Sequence, residues 1–208
     1  MTNDLFGFSP KPLELEDGRV VADVYETPVN VVLDLLPYID FRPYDTLMEP
    51  CRSGGNIYNN IPIIPNHFKF WCEIREGFDY LKHPATTYPY TFIITNPPFS
   101  LGLEFLSKSL MEAETVIYLL PLNYLGGLQR VDFWEKNPPT HLLPLKRRPV
   151  FIWVCENKEC DAKFQPGFAH PCPECGFRVK AQQDQINYAW YAWDRGGRLK
   201  LDNWLKVI

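Results

Sequence analysis

Two hydrophobic patterns alternate along the chain. The first is a set of short apolar runs: Phe92-Ile93-Ile94-Thr95, Thr115 to Leu122 and the aromatic Asn187 to Asp194. Runs this short and this rich in β-branched and aromatic residues predict strands buried on both faces. Phe68 to Ile74, His141 to Leu145 and Pro149 to Val154 are also strand-like, and Asp45 to Glu49 reads as a strand running into the glycine turn at Gly54-Gly55. The second pattern has helical spacing: Val29, Val32, Leu33, Leu35 and Leu36, then Leu101, Leu103, Phe105, Leu106 and Leu110. Thr27 is expected to cap the first of these helices, with Pro28 at its first position. A short helix from Arg130 is expected to stop at Asn137-Pro138-Pro139. Strands alternating with helices predict an α/β fold around a parallel sheet. Residues 1–24 read as an irregular arm.

One strand ends in a distinctive way. Asn96-Pro97-Pro98-Phe99 follows Thr91 to Thr95 and precedes a helix. Two prolines remove two backbone donors, set two φ angles and push the residues before them into extended conformations. The product is a stiff turn at the carboxyl end of a parallel strand, where open α/β sheets place their ligands. An exocyclic amine conjugated to a flat ring is a poor nucleophile. A side-chain amide oxygen and the Pro97 carbonyl can accept its two N–H bonds, and Phe99 can stack on the ring. Rigidity limits the reorganisation such a reaction requires.

This Asn-Pro-Pro-Phe resembles motif IV of the class I S-adenosylmethionine-dependent amino-methyltransferases, above all the DNA N6-adenine methyltransferases, and more loosely those of phages and prophages. The resemblance implies a Rossmann-like methyltransferase sheet and direct transfer of a methyl group to N6 of an adenine swung out of the duplex. It makes Asn96, Pro97, Pro98 and Phe99 the catalytic residues. Tyr25-Glu26-Thr27-Pro28 is similar to motif X, placing Tyr25, Thr27 and Pro28 beside the cofactor's methionine end. Glu49-Pro50-Cys51-Arg52-Ser53-Gly54-Gly55 is similar to motif I through Glu49, Pro50 and Gly55, with Cys51 between them. Ser53 stands where the pattern has its first glycine, and Gly54 where an acidic residue is frequent. Glu73 matches the residue that bonds the ribose hydroxyls, Ile74 one that packs on the cofactor adenine, and Asp79 one that reaches its amine. Asn96 also borders this cofactor. The resemblance covers about residues 23–154 and 187–195.

Composition narrows the setting. The net charge is −4, but Lys146 to Lys180 carries +3 and the remainder −7. Within that basic stretch, Lys146-Arg147-Arg148 is the candidate contact to DNA phosphates. No apolar run is long enough to span a membrane and no signal peptide is apparent, so a cytoplasmic protein is expected, in a bacterium or a phage-infected host. Cys155-x4-Cys160-x11-Cys172-Pro173-Glu174-Cys175 is a second constellation. In a reducing compartment such spacing predicts a closed, structural four-thiolate Zn²⁺ site in a zinc ribbon over 155–180 rather than disulfides. The expected architecture is one domain, 1–208, with that module inserted. Two alternatives stay open. The substrate is RNA or a protein amide, since the motif serves several amines; or Ser53 and Gly54 mark a methyltransferase fold that binds DNA or a host protein without catalysis.

Overall fold

A computed structural model of the chain describes residues 13–14, 18, 20–21, 25–160, 162–164, 171–182 and 185–208. The arm expected over 1–24 falls mostly outside them; inside it, β1 (Leu13–Glu14) pairs antiparallel with β2 (Val20–Val21). The strands that follow are β3 (Leu47–Glu49), β4 (Lys69–Trp71), β5 (Tyr90–Thr95), β6 (Ala113–Pro121), β7 (His141–Pro144), β8 (Ile152–Cys155), β9 (Lys163–Phe164), β10 (Val179–Gln182) and β11 (Tyr188–Asp194). Six of them form one sheet in the order β4-β3-β5-β6-β11-β7. β4, β3, β5 and β6 are parallel, and β11 is antiparallel to both β6 and β7. β7 therefore points the same way as β6.

The apolar runs are continuous because both faces of this sheet are covered. On β6, Ile117 and Leu119 enter one core while Val116, Tyr118 and Leu120 enter the other. On β11, Tyr188, Trp190 and Ala192 alternate in the same way with Ala189, Tyr191 and Trp193. The period of two is present, but each parity meets its own apolar layer. Helix α1 (Val29–Leu35) covers the first face through Val31, Val32 and Leu35. Helix α3 (Gly102–Glu112) covers the second through Phe105 and Leu106. The remaining helices, α2 (Asn56–Asn59) and α4 (Val131–Lys136), are short. Among the described residues no helix is long and apolar enough to cross a membrane.

Helix α1 departs from expectation in two ways. Its N-cap is Pro28, whose carbonyl accepts from the Val31 N–H at 3.0 Å, so Thr27 lies one position before the cap. Its buried stripe runs through Val31, while Val29 and Leu33 are 36% and 49% exposed. Five apolar residues in eight positions leave more than one possible face, and contact with the sheet selects between them.

The connectivity positions the site. From β3 the chain goes to β4 on one side, then crosses back to β5 on the other. Strand order reverses there, with Glu49 and Thr95 ending on neighbouring strands, and α/β sheets open a crevice at such a switch point. The chain between β7 and β11 holds a separate antiparallel sheet in the order β10-β8-β9. Because β7 runs with β6, this excursion leaves from the same sheet edge as the Asn-Pro-Pro turn.

Candidate functional site

A cavity occupies the switch point, lined by Tyr25, Pro50, Cys51, Ser53, Glu73, Ile74, Phe78, Asp79, Tyr80, Asn96, Pro98, Leu101 and Phe105. Eight of the sequence-derived candidates are thus brought together from four separate segments. Thr27, Pro28, Glu49, Gly55, Pro97 and Phe99 are not on its walls. They sit behind or beside them.

Its floor at Ser53 belongs to a loop that runs on to Tyr58, and three glutamates hold that loop by its backbone. The Ser53 N–H donates to Glu73 Oε2 at 2.8 Å, and the Arg75 N–H to Glu73 Oε1 at 3.1 Å. The Gly54 N–H donates to Glu26 Oε2, and the Asn56 N–H to Glu26 Oε1 at 2.9 Å. The Tyr58 N–H donates to Glu49 Oε2 at 2.8 Å. Asn56 Nδ2 also donates to the Thr27 carbonyl at 2.8 Å, tying the segment before α1 to the loop. Glycine turns of this kind cradle phosphates when their amides are free. Here carboxylates already occupy the amides of Ser53, Gly54, Asn56 and Tyr58, so a dinucleotide pyrophosphate would meet negative charge. The loop instead suits a cationic ligand.

The departures at Ser53 and Gly54 acquire physical meaning. Ser53 adopts φ 48°, and Gly55 φ 90°. Serine keeps the left-handed turn at a cost of about 1 kcal/mol rather than reshaping it. At Gly54, a Cβ would lie 2.5 Å from Glu26 Oε2. A side chain there would have to displace the Glu26 carboxylate from the amides it holds. Glu26 was not among the sequence candidates. Its bonds span 28 and 30 residues, and no local pattern signals them. The apolar wall of Phe78, Tyr80, Leu101 and Phe105 was also missed. Tyr80 commits its hydroxyl to Ser109 and Glu112, at 3.0 and 2.9 Å.

Burial, reinforced by the charge of Glu26, raises the Glu49 carboxyl well above the usual range. A raised folded-state value favours the folded protein below the unfolded pKa, and that contribution disappears as pH rises through the folded pKa. Glu49→Gln, which keeps an acceptor for the Tyr58 N–H, is therefore expected to raise the melting temperature at pH 8 and to change it little at pH 4.5. Equal shifts at both pH values in a thermal melt would contradict this. Burial likewise pushes the Cys51 thiol well up, which keeps it protonated and unreactive.

The Asn-Pro-Pro turn forms the opposite wall. Asn96 Nδ2 donates to the Tyr25 carbonyl at 3.1 Å. A carbonyl only accepts, so the amide orientation is determined: the NH₂ faces Tyr25 and Oδ1 faces away. Asn96 Oδ1 is buried and has no hydrogen-bond partner among the described residues. Pro97 and Pro98 are buried, and Phe99 is half-buried. The Phe99 ring packs 6.1 Å from that of Tyr188, and its carbonyl accepts from Tyr124 Oη at 3.0 Å. Asp79 Oδ1 accepts from the Leu81 N–H at 3.0 Å, shaping the turn beside the cavity.

The four clustered cysteines converge. The sulfurs of Cys155, Cys160, Cys172 and Cys175 all lie within 4.8 Å of one another. Cys155 and Cys175 are 3.4 Å apart, and Cys160 and Cys172 3.8 Å. Sulfurs at Zn–S distance in a tetrahedron are separated by about 3.8 Å, whereas a disulfide bond is about 2.05 Å. The donor set fits a divalent metal. Lys146, Arg147 and Arg148 are exposed just past β7, and Arg148 Nε donates to Asn187 Oδ1 at 3.1 Å. Their place follows from register: Pro144 pairs with Ala189, and Tyr188 with Pro121. They share the sheet edge with Asn96, three strand spacings or about 14 Å along it.

No family model and no curated protein matches the sequence. Solved structures do. One, described as a modification subunit of a type I restriction enzyme from Vibrio vulnificus YJ016, aligns with TM-score 0.51 at 14% identity over 83% of this chain. A type I restriction-modification methyltransferase subunit from Streptococcus thermophilus gives 0.48 at 12% over 88%. A protein described as an RNA methyltransferase from Pyrococcus horikoshii gives 0.49 at 15%, over 82% of this chain and 85% of its own. The chain spans 44% and 47% of the two restriction-system subunits. With its strand order and switch point, the chain has the α/β fold of the class I methyltransferase sheet, carrying a small four-cysteine module between its last two strands.

Proposed function

We propose that the protein is an S-adenosylmethionine-dependent methyltransferase acting on N6 of adenine in DNA. The observation that carries this reading is Asn96 Oδ1, a buried amide acceptor without a partner among the described residues. Leaving such an acceptor unpaired costs about 1–3 kcal/mol. An incoming amine N–H would remove that cost.

The cofactor is cationic, and when bound it supplies an electrophilic methyl group. Glu26 and Glu73 make the cavity floor negative, which suits that charge, while burial holds Glu49 toward its neutral form. Tyr25, Thr27, Pro28, Pro50, Cys51 and Gly55 would shape its methionine side, and Glu73, Ile74 and Asp79 its nucleoside side. Asn96 Oδ1 and the Pro97 carbonyl would accept the two amine protons, turning the nitrogen lone pair out of conjugation. Phe99 offers an aromatic surface beside them. In this reading residues 1–208 form one methyltransferase domain, and Zn²⁺ on the four cysteines staples the inserted 155–180 module.

Incubation with labelled cofactor and, in parallel, unmethylated DNA, RNA and protein tests this, followed by nucleoside analysis. Label in N6-methyladenosine from RNA, or in protein, would redirect the substrate assignment. Label nowhere, with no heat of cofactor binding, would leave a binding protein. DNA as substrate is supported by the basic triplet on the same sheet edge. Joint replacement of Lys146, Arg147 and Arg148 with alanine is expected to weaken DNA binding and reduce its salt slope by about 2–3, close to 0.9 per lost phosphate contact. An unchanged slope in a salt titration would show that the triplet does not touch DNA.

A further inference from the structure

Strand β6 outruns β5. Tyr118 pairs with Thr95, the last residue of β5, and β6 continues to Pro121, about 10 Å further. The chain then turns through Leu122–Leu125, the Gly126-Gly127 pair and Leu128–Arg130 before α4. This loop stands above the Asn-Pro-Pro turn on the ligand edge of the sheet. Leu128 at its tip is 95% exposed, flanked by Leu125 at 40% and Val131 at 42%.

The tip is held from below. Arg130 Nε and Nη2 donate to the Gly126 carbonyl at 3.0 and 2.7 Å, and the Arg130 N–H to Gly127 O at 3.0 Å. The Arg130 guanidinium lies 4.4 Å over the Tyr124 ring. Tyr124 in turn donates to the Phe99 carbonyl and accepts from Trp134 Nε1 at 3.3 Å. Gly127, at φ 104°, makes the sharp reversal that points the next residue outward. A fully exposed leucine is thus mounted on a braced pedestal that is hydrogen-bonded to the turn bearing Asn96.

We infer that Leu128 is a wedge that enters the DNA duplex and fills the space vacated by the target adenine. This rests on the functional reading above and names how that substrate is opened. A base that reacts at Asn96 must leave its stack, and unstacking is most costly when the base is paired. An apolar side chain entering the gap keeps the neighbouring bases covered, as apolar wedges do between base steps. Arg130 sets a positive charge under the same tip, beside the phosphates that would pass over it.

The test compares methyl transfer to native plasmid DNA with transfer to the same plasmid heat-denatured, both lacking N6-methyladenine. Leu128→Ala is expected to lose about tenfold on native DNA while staying within about twofold of the parent on denatured DNA, since only the paired substrate needs the gap filled. Met111→Ala removes an equally apolar side chain, 78% exposed at the far end of α3, and should change neither rate. Equal losses on both substrates, or no loss on either, would overturn the wedge. A parent protein that labels neither DNA would overturn the functional reading instead, and the wedge with it.

Discussion

Asn96→Ala is expected to lower methyl transfer on the order of 10²–10³-fold, the scale for removing one preorganised polar group from a reacting centre, while cofactor affinity changes by no more than about threefold. The asymmetry follows from where the side chain's two ends go. Its NH₂ is spent on the Tyr25 carbonyl, and its oxygen is buried without a partner. Alanine therefore removes the acceptor that only an incoming amine would use, together with one bond to the Tyr25 carbonyl. The glutamates that hold the loop from Ser53 to Tyr58 bond to its amides at Ser53, Gly54, Asn56 and Tyr58 and make no hydrogen bond to the Asn96 side chain. The cavity floor should survive. Single-turnover transfer with saturating cofactor measures the first quantity, and calorimetry with the cofactor the second. A variant that turns over normally would remove Asn96 from the chemistry. One that loses cofactor binding to the same extent as transfer would reassign it to the cofactor wall.

The parts of this fold that were legible in sequence are those whose physics is local. β5, β6 and β11 announced themselves because burial on both faces demands unbroken apolar runs. The diproline turn did so because φ restriction acts within one residue, and the cysteine pairs because a ligand turn has a fixed spacing. The illegible parts depend on contacts made at a distance. Nothing near Glu26 indicates that its carboxylate will grip amides 28 and 30 residues away, or that a side chain at position 54 would crowd it. Nothing around Leu33 indicates which side of α1 faces the sheet. Phe99 looked like a free stacking ring; the structure packs it against Tyr188. The motif was readable, and the supports that hold it were not.

Removing metal from the four cysteines is expected to unfold the β8, β9 and β10 sheet while leaving the six-stranded sheet intact. The small sheet has almost no core of its own. Among the described residues its own cluster is Ala162, Phe164 and Cys172, with Trp153, Cys155, Cys160 and Val179 packed partly against them, while Ile152 at the start of β8 is buried in the core of the six-stranded sheet. So few apolar side chains cannot offset the entropy of ordering about thirty residues, and small modules of this size rely on a metal or disulfides. Structural zinc in comparable small folds contributes about 10–16 kcal/mol at neutral pH, far more than this cluster can supply by burial. The thiols also show how acid should act. The Phe177 N–H donates to Cys175 and brings its thiol down to about 7. Metal binding needs all four as thiolates, so affinity falls as pH drops and protons compete for the sulfurs. Purified protein should carry about one zinc per chain. After chelation, amides in Ile152–Cys155 and Val179–Gln182 should lose exchange protection, while those in β5 and β6 keep theirs. Cys172→Ser, at the buried ligand, should reproduce that pattern without chelator. If zinc-supplemented protein contains no metal, or chelation leaves exchange in β8 and β10 unchanged, the sulfurs are not a metal site and the module is stabilised by its contact with the rest of the chain.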